Sequence, residues 1–75
     1  MTEDRALTVL ITLTESILGV DKVQSTDEFF DLGANSMDAL RLVTAMEEHG
    51  LVVDIEQLLD SPSLADLATH CRPRS

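Results

Sequence analysis

Residues Ala6 to Val20 read ALTVLITLTESILGV, and whether this stretch coils or extends decides the fold class. Leu7, Val9, Ile11 and Leu13 alternate with Thr8, Leu10, Thr12 and Thr14, a rhythm that suits a half-buried strand. The set Leu7, Leu10, Ile11, Thr14, Ile17 and Leu18 also follows the three-and-four spacing of a helical stripe. Thr2, Glu3 and Asp4 make an acidic start, favourable at the positive end of a helix, and Gly19 makes a stop. No other long strand is present to pair with this one. The spacing predicts a helix from Thr2 to Leu18.

Composition narrows what such a chain can do. Seventy-five residues make one domain, expected to span 1–75 with a disordered tail from about residue 71. Hydrophobic residues are 44% of the chain, yet there are two phenylalanines and no Trp or Tyr, so the core must be aliphatic. Fourteen acidic residues against five basic ones give a net charge of −9. That balance disfavours nucleic acid and anionic lipid and favours partners with basic patches. The single cysteine, Cys71, cannot close an internal disulfide. His70 beside it and the distant His49 lack the ligand spacing of a metal site, so no metal is expected. The apolar N-terminal run has no basic flank, is interrupted by Glu15, and is too short to span a bilayer. A cytoplasmic protein is expected.

From Gly19 to Asn35 the periodicity fades, and Val20, Val23, Phe29, Phe30 and Leu32 are the natural anchors of a long loop. Within it, STDEFF suggests one helical turn capped by Ser25 or Thr26. A second helix runs from Ser36 to about His49 and stops at Gly50. Projection at about 100° per residue puts Ala39, Leu40, Leu42, Val43 and Met46 on its core face. Met37, Arg41, Thr44, Ala45 and Glu48 fall opposite. Asp54 opens a short helix, IEQLL, and Ser63 with Asp66 opens a last one, LADLATH, before Pro73 ends order. The expected fold is all-α: a small antiparallel four-helix bundle of three main helices and a short third, with a long first connection.

The junction DLGANSMDAL, Asp31 to Leu40, carries the chemistry. Ser36 can be a helix cap, its hydroxyl satisfying an orphan amide, but Asn35 could cap equally well. Alternatively, a serine at a helix N-terminus is well placed to bear a phosphate, stabilised by free amides and the helix dipole. Gly33 and Ala34 leave little bulk in the way of an incoming enzyme, and Met37 sets an adaptable apolar side chain beside the hydroxyl. Catalysis by Ser36 itself fits poorly, because His49 lies at the far end of the same helix, roughly 20 Å away. Both roles for Ser36 stand at this level.

The segment FFDLGANSMDALRLVTAMEEHG, Phe29 to Gly50, resembles the phosphopantetheine-attachment segment of the acyl carrier and peptidyl carrier proteins, and LVVDIEQLLDSPSLADLATH continues the likeness. The resemblance implies a non-catalytic carrier, modified at Ser36 with 4′-phosphopantetheine by a phosphopantetheinyl transferase using coenzyme A and magnesium. The arm would hold acyl or aminoacyl groups as thioesters. Asp31, Asn35, Met37, Asp38, Arg41, Glu47 and Glu48 would be read by partners: an acyltransferase or adenylating enzyme, and a ketosynthase or condensation enzyme. Asn35 stands where the family usually has Asp or His, and Arg41 interrupts a face that is acidic in many fatty-acid carriers. The LGAN loop and the DSPSLADLA ending are closer to carriers of polyketide and nonribosomal peptide pathways. The expectation is a free-standing, monomeric carrier of that type. The alternatives are a primary fatty-acid carrier and a small acidic interaction domain in which Ser36 only caps.

Overall fold

The computed structural model describes residues 2–60 and 62–74, with side chains in the first helix described from residue 4 onward. The opening stretch is helical: α1 spans Thr2–Leu18. Ala6, Leu10 and Thr14, four residues apart, are fully buried. Leu7, Ile11, Ile17 and Leu18 flank them half-buried, while Thr8, Thr12 and Ser16 face solvent. Gly19, at φ +68°, closes the helix as expected, and the amides of Gly19 and Val20 both donate to Glu15 O at 2.9 and 3.2 Å. The side chains of Thr2 and Glu3, part of the expected acidic start, lie outside the described residues.

The long connection is anchored by the residues its sequence offered. Val23 and Phe29 enter the core, and Val20, Phe30 and Leu32 pack against it. The two rings meet edge to face, with centroids 5.6 Å apart. The expected turn capped by Ser25 or Thr26 is not what forms. Gln24 N donates to Asp27 Oδ2 at 2.8 Å and Asp27 N returns to Gln24 O at 3.0 Å, because a carboxylate outcompetes a hydroxyl for a turn amide. A 3₁₀ turn follows at Phe30–Leu32, closed by Gly33 in the left-handed region.

The remaining elements are α2 (Ser36–Glu48), β1 (Leu51–Val52), α3 (Ile55–Leu59), α4 (Leu64–His70) and β2 (Arg72–Pro73). Helix α1 packs on α2 and α4, and α2 packs in turn on α3 and β1. Ser63 caps α4 by accepting from Asp66 N at 3.1 Å. The loop satisfies two further α4 amides: Leu64 N donates to Asp27 O and Ala65 N to Ser25 O, both at 2.9 Å.

Two expectations are corrected. Leu40, assigned to the core face of α2, is 51% exposed; the buried stripe is the narrower set Ala39, Leu42 and Met46. The tail expected from residue 71 is instead ordered. Cys71 is buried, and Arg72–Pro73 pair antiparallel with Leu51–Val52 in register Leu51 to Pro73 and Val52 to Arg72. Arg74 N donates to Gly50 O at 2.8 Å, so Pro73 falls at the intervening position, where an antiparallel ladder needs no amide hydrogen. Ser75 lies outside the described residues. Among the described residues the fold is all-α with four α-helices, plus the 3₁₀ turn and this two-residue ladder.

Two buried side-chain atoms among the described residues have no hydrogen-bond partner, Thr14 Oγ1 and Gln57 Oε1. Thr14 Oγ1 is sealed in the core of α1. Leaving a hydroxyl in that state costs roughly 1–3 kcal/mol. Thr14→Val keeps the shape and removes the group, so it should raise stability by about 1 kcal/mol, read as a higher midpoint in urea.

Candidate functional site

The start of α2 is built by a reciprocal pair. Asn35 is the N-cap, in extended backbone at φ −113° and ψ −177°. Its Oδ1 accepts from Asp38 N at 2.9 Å, and Asp38 Oδ2 accepts from Asn35 N at 3.1 Å. Ser36 is therefore the first helical residue and not the cap, which removes the reading in which capping is its only role. Its side chain is exposed. The sequence set two capping residues side by side, and the structure uses the amide and leaves the hydroxyl free of that work.

Gly33 holds φ +100° with its amide donating to Phe30 O at 3.1 Å, turning the chain from the 3₁₀ turn toward α2. An added Cβ there would meet nothing within 4 Å, so the glycine is required by its dihedral and not by crowding. Ala34 is half-buried and packs on the core, which ties down the residue before the cap.

Asp38 is occupied on both oxygens. Besides the cap, its Oδ1 accepts from Arg41 at 3.1 Å, and only 14% of its side chain is exposed. Arg41 remains open to solvent. Among the residues singled out for recognition, Met37 (59% exposed) directly follows Ser36 and Arg41 lies more than a turn further along α2, with Asp31 exposed on the preceding 3₁₀ turn. Glu47 and Glu48 are exposed at the other end of α2, roughly 18 Å along the axis from Ser36.

Met37, Leu40, Arg41, Thr44, Ala45 and Glu48 line an open groove of about 290 Å³ on the outer face of α2. Leu40 is the member that sequence reasoning missed. Its signal was available, because 37, 40, 41, 44, 45 and 48 follow the helical three-and-four spacing without a break. His49 is the C-cap of α2, with Nδ1 at 2.9 Å from Ala45 O, at the end remote from Ser36. Burial pushes the Cys71 thiol up from its ordinary value, with nearby Arg72 opposing in part, so it is a poor nucleophile near neutral pH. No group of three or more His, Cys, Asp or Glu that could hold a metal occurs among the described residues. No helix among them is long and apolar enough to cross a membrane.

The assignment of the cap is testable. Asn35→Ala should lower stability by about 1 kcal/mol, whereas Ser36→Ala should stay within about 0.5 kcal/mol of the parent; urea titration of both variants separates them.

The phosphopantetheine attachment site family matches residues 8–71. A malformin synthetase of Aspergillus sclerotiicarbonarius is 42% identical over 64 residues, covering 83% of this chain and 1% of that protein. Bacitracin synthase 3 of Bacillus licheniformis is 29% identical over 66 residues, 88% of this chain and again 1% of that protein. This chain thus spans a very small part of the curated relatives it matches. A solved non-ribosomal PCP domain superposes with a TM-score of 0.87 at 33% identity, covering 100% of this chain and 95% of that one. The chain belongs to the phosphopantetheine attachment site family, whose members are non-catalytic carriers that bear 4′-phosphopantetheine covalently.

Proposed function

We propose that this chain is a peptidyl carrier of nonribosomal peptide synthesis, modified at Ser36 and passing aminoacyl or peptidyl intermediates between enzymes. The observation that carries the reading is the division of labour at the start of α2. Asn35 and Asp38 hold the cap, and the exposed Ser36 hydroxyl keeps no structural task. The residues fit the prosthetic group. A phosphodiester on Ser36 would sit at the positive end of a 13-residue helix, beside its first-turn amides. The carboxylate nearest in sequence, Asp38, is paired with Arg41.

Ser36 Oγ would bond to the β-phosphorus of coenzyme A as the pyrophosphate P–O bond breaks. 3′,5′-ADP leaves, and the hydroxyl proton passes to the transferase, which supplies the magnesium site. Once attached, the group contributes a terminal thiol that holds its cargo as a thioester. A phosphopantetheinyl transferase, an adenylating enzyme and a condensation enzyme are the partners this implies. Met37, Leu40 and Arg41 on the outer face of α2, with Asp31 ahead of it and Glu47 and Glu48 at its far end, are the surface they would read. Asn35 and Asp38 act through the helix start. Peptidyl cargo is favoured over polyketide cargo because the solved structure that superposes is a non-ribosomal PCP domain and further relatives are named as nonribosomal peptide synthetases. Because coenzyme A supplies the arm, the working compartment is read as the cytoplasm. Those relatives carry the segment inside far longer proteins, so discrete action is the part of the proposal that loading in trans addresses.

Incubation of the 75-residue chain with coenzyme A, magnesium and a promiscuous transferase should add one phosphopantetheine by intact mass, and Ser36→Ala should abolish the addition. No addition under conditions that modify a control carrier would overturn the assignment. Arg41→Glu should leave that modification largely intact, with full conversion at longer incubation, while slowing loading in trans by an adenylating enzyme by roughly three- to tenfold at low salt. Equal loading rates would remove Arg41 from the recognition surface.

A further inference from the structure

The segment that follows α4 is fastened by a set of weak and mostly exposed contacts. Arg74 N donates to Gly50 O at 2.8 Å, Arg74 Nη1 reaches Glu47 O at 3.3 Å, and Pro73 and Arg72 lie beside Leu51 and Val52. Both terminal nitrogens of the Arg72 guanidinium face Asp54, Nη1 to Oδ2 at 3.4 Å and Nη2 to Oδ1 at 3.3 Å, with each side chain more than half exposed. Contacts of that length and exposure are individually small and screened by salt.

Asp54 has a second place to go. It is the N-cap residue of α3, in extended backbone, yet its side chain makes no capping bond. Aspartate is among the strongest N-caps, and α3 is only five residues long, so a missing cap matters there more than in a long helix. α3 carries a further deficit in Gln57 Oε1, which is buried without a partner. A hollow of about 500 Å³ opens along Asp54, Ile55, Glu56 and Gln57, which leaves room over the first turn of α3 for the carboxylate to move.

We propose that residues 72–74 form a releasable strap that competes with α3 for Asp54. With the strap docked, Arg72 draws the Asp54 carboxylate away and α3 starts uncapped. With the strap released, the same carboxylate accepts from the Glu56 amide and α3 gains its cap, the Gln57 amide already donating to Asp54 O at 3.1 Å. Order in the strap and order at the start of α3 are then opposed, linked through one side chain. Anything that displaces the strap firms α3, which packs on α2, the helix whose first residue is Ser36. This inference stands apart from the carrier reading, since it concerns the unmodified chain.

Amide hydrogen exchange, followed by NMR on the intact chain, separates the two ends of the switch. In Arg72→Ala the Arg74 amide should lose protection by about two- to fivefold, while the Glu56 amide gains by a similar factor. Asp54→Asn removes the ion pair but keeps a good cap, so it should give the same opposed pattern. Asp54→Ala removes both partners, and the α3 amides should then gain nothing. Raising sodium chloride to 0.5 M should mimic Arg72→Ala in the parent and add little in that variant. If Arg72→Ala leaves Arg74 protection unchanged, or if the strap and α3 lose protection together, the competition does not exist.

Discussion

Two backbone bonds hold the arrangement in place: Leu64 N to Asp27 O and Ala65 N to Ser25 O. A helix begins with amides that have no partner inside it, and a buried orphan amide is costly enough that something must answer it. Here the answer comes from the long connection between α1 and α2. By serving the start of α4, the loop gives up its freedom at Ser25 and Asp27. Phe29, two residues on, is then set into the core. From that fixed ring the chain has only the 3₁₀ turn and the Gly33 reversal before it reaches the cap of α2. The position of Ser36 thus depends on α4, an element almost thirty residues further along the chain.

The helices were legible because each carries its own short-range record. Gly19 and Gly50 mark two ends, Ser63 marks a beginning, and the three-and-four spacing of Leu10, Ile11, Thr14 and Leu18 overrode the competing alternation. The start of α2 at Ser36 was legible too. Choosing between Asn35 and Ser36 as the cap was not, since either side chain can accept an amide hydrogen. What decided it was Asp38, whose carboxylate reaches back to the Asn35 amide and locks that register. Leu40 was misplaced because a residue's neighbours on a helix do not reveal how wide the covered stripe is; that depends on which helices lie against it. The ladder at Arg72 and Pro73 left no trace in the pattern, being made of backbone groups on an apparently polar tail, and the same holds for the stitching of the loop to α4.

Basic residues are scarce, and the fold keeps most of them for itself. Arg5 Nη2 donates to His49 O at 2.8 Å and Arg74 to Glu47 O, so two guanidinium groups stand at the negative end of α2. Arg72 faces Asp54 and Arg41 faces Asp38. With four of the five cations engaged in this way, the acidic excess dominates the surface that a partner first senses, in keeping with a net charge of −9.

Arg5 and Arg74, near the two extremities of the described chain, both grip the same terminus of α2, roughly 20 Å from its first residue. Any polypeptide joined beyond either of them would take hold of the body at its stern, while the serine rides at the bow. Rotation about such a mooring sweeps the hydroxyl through a wide arc without winding the connecting strands across its path.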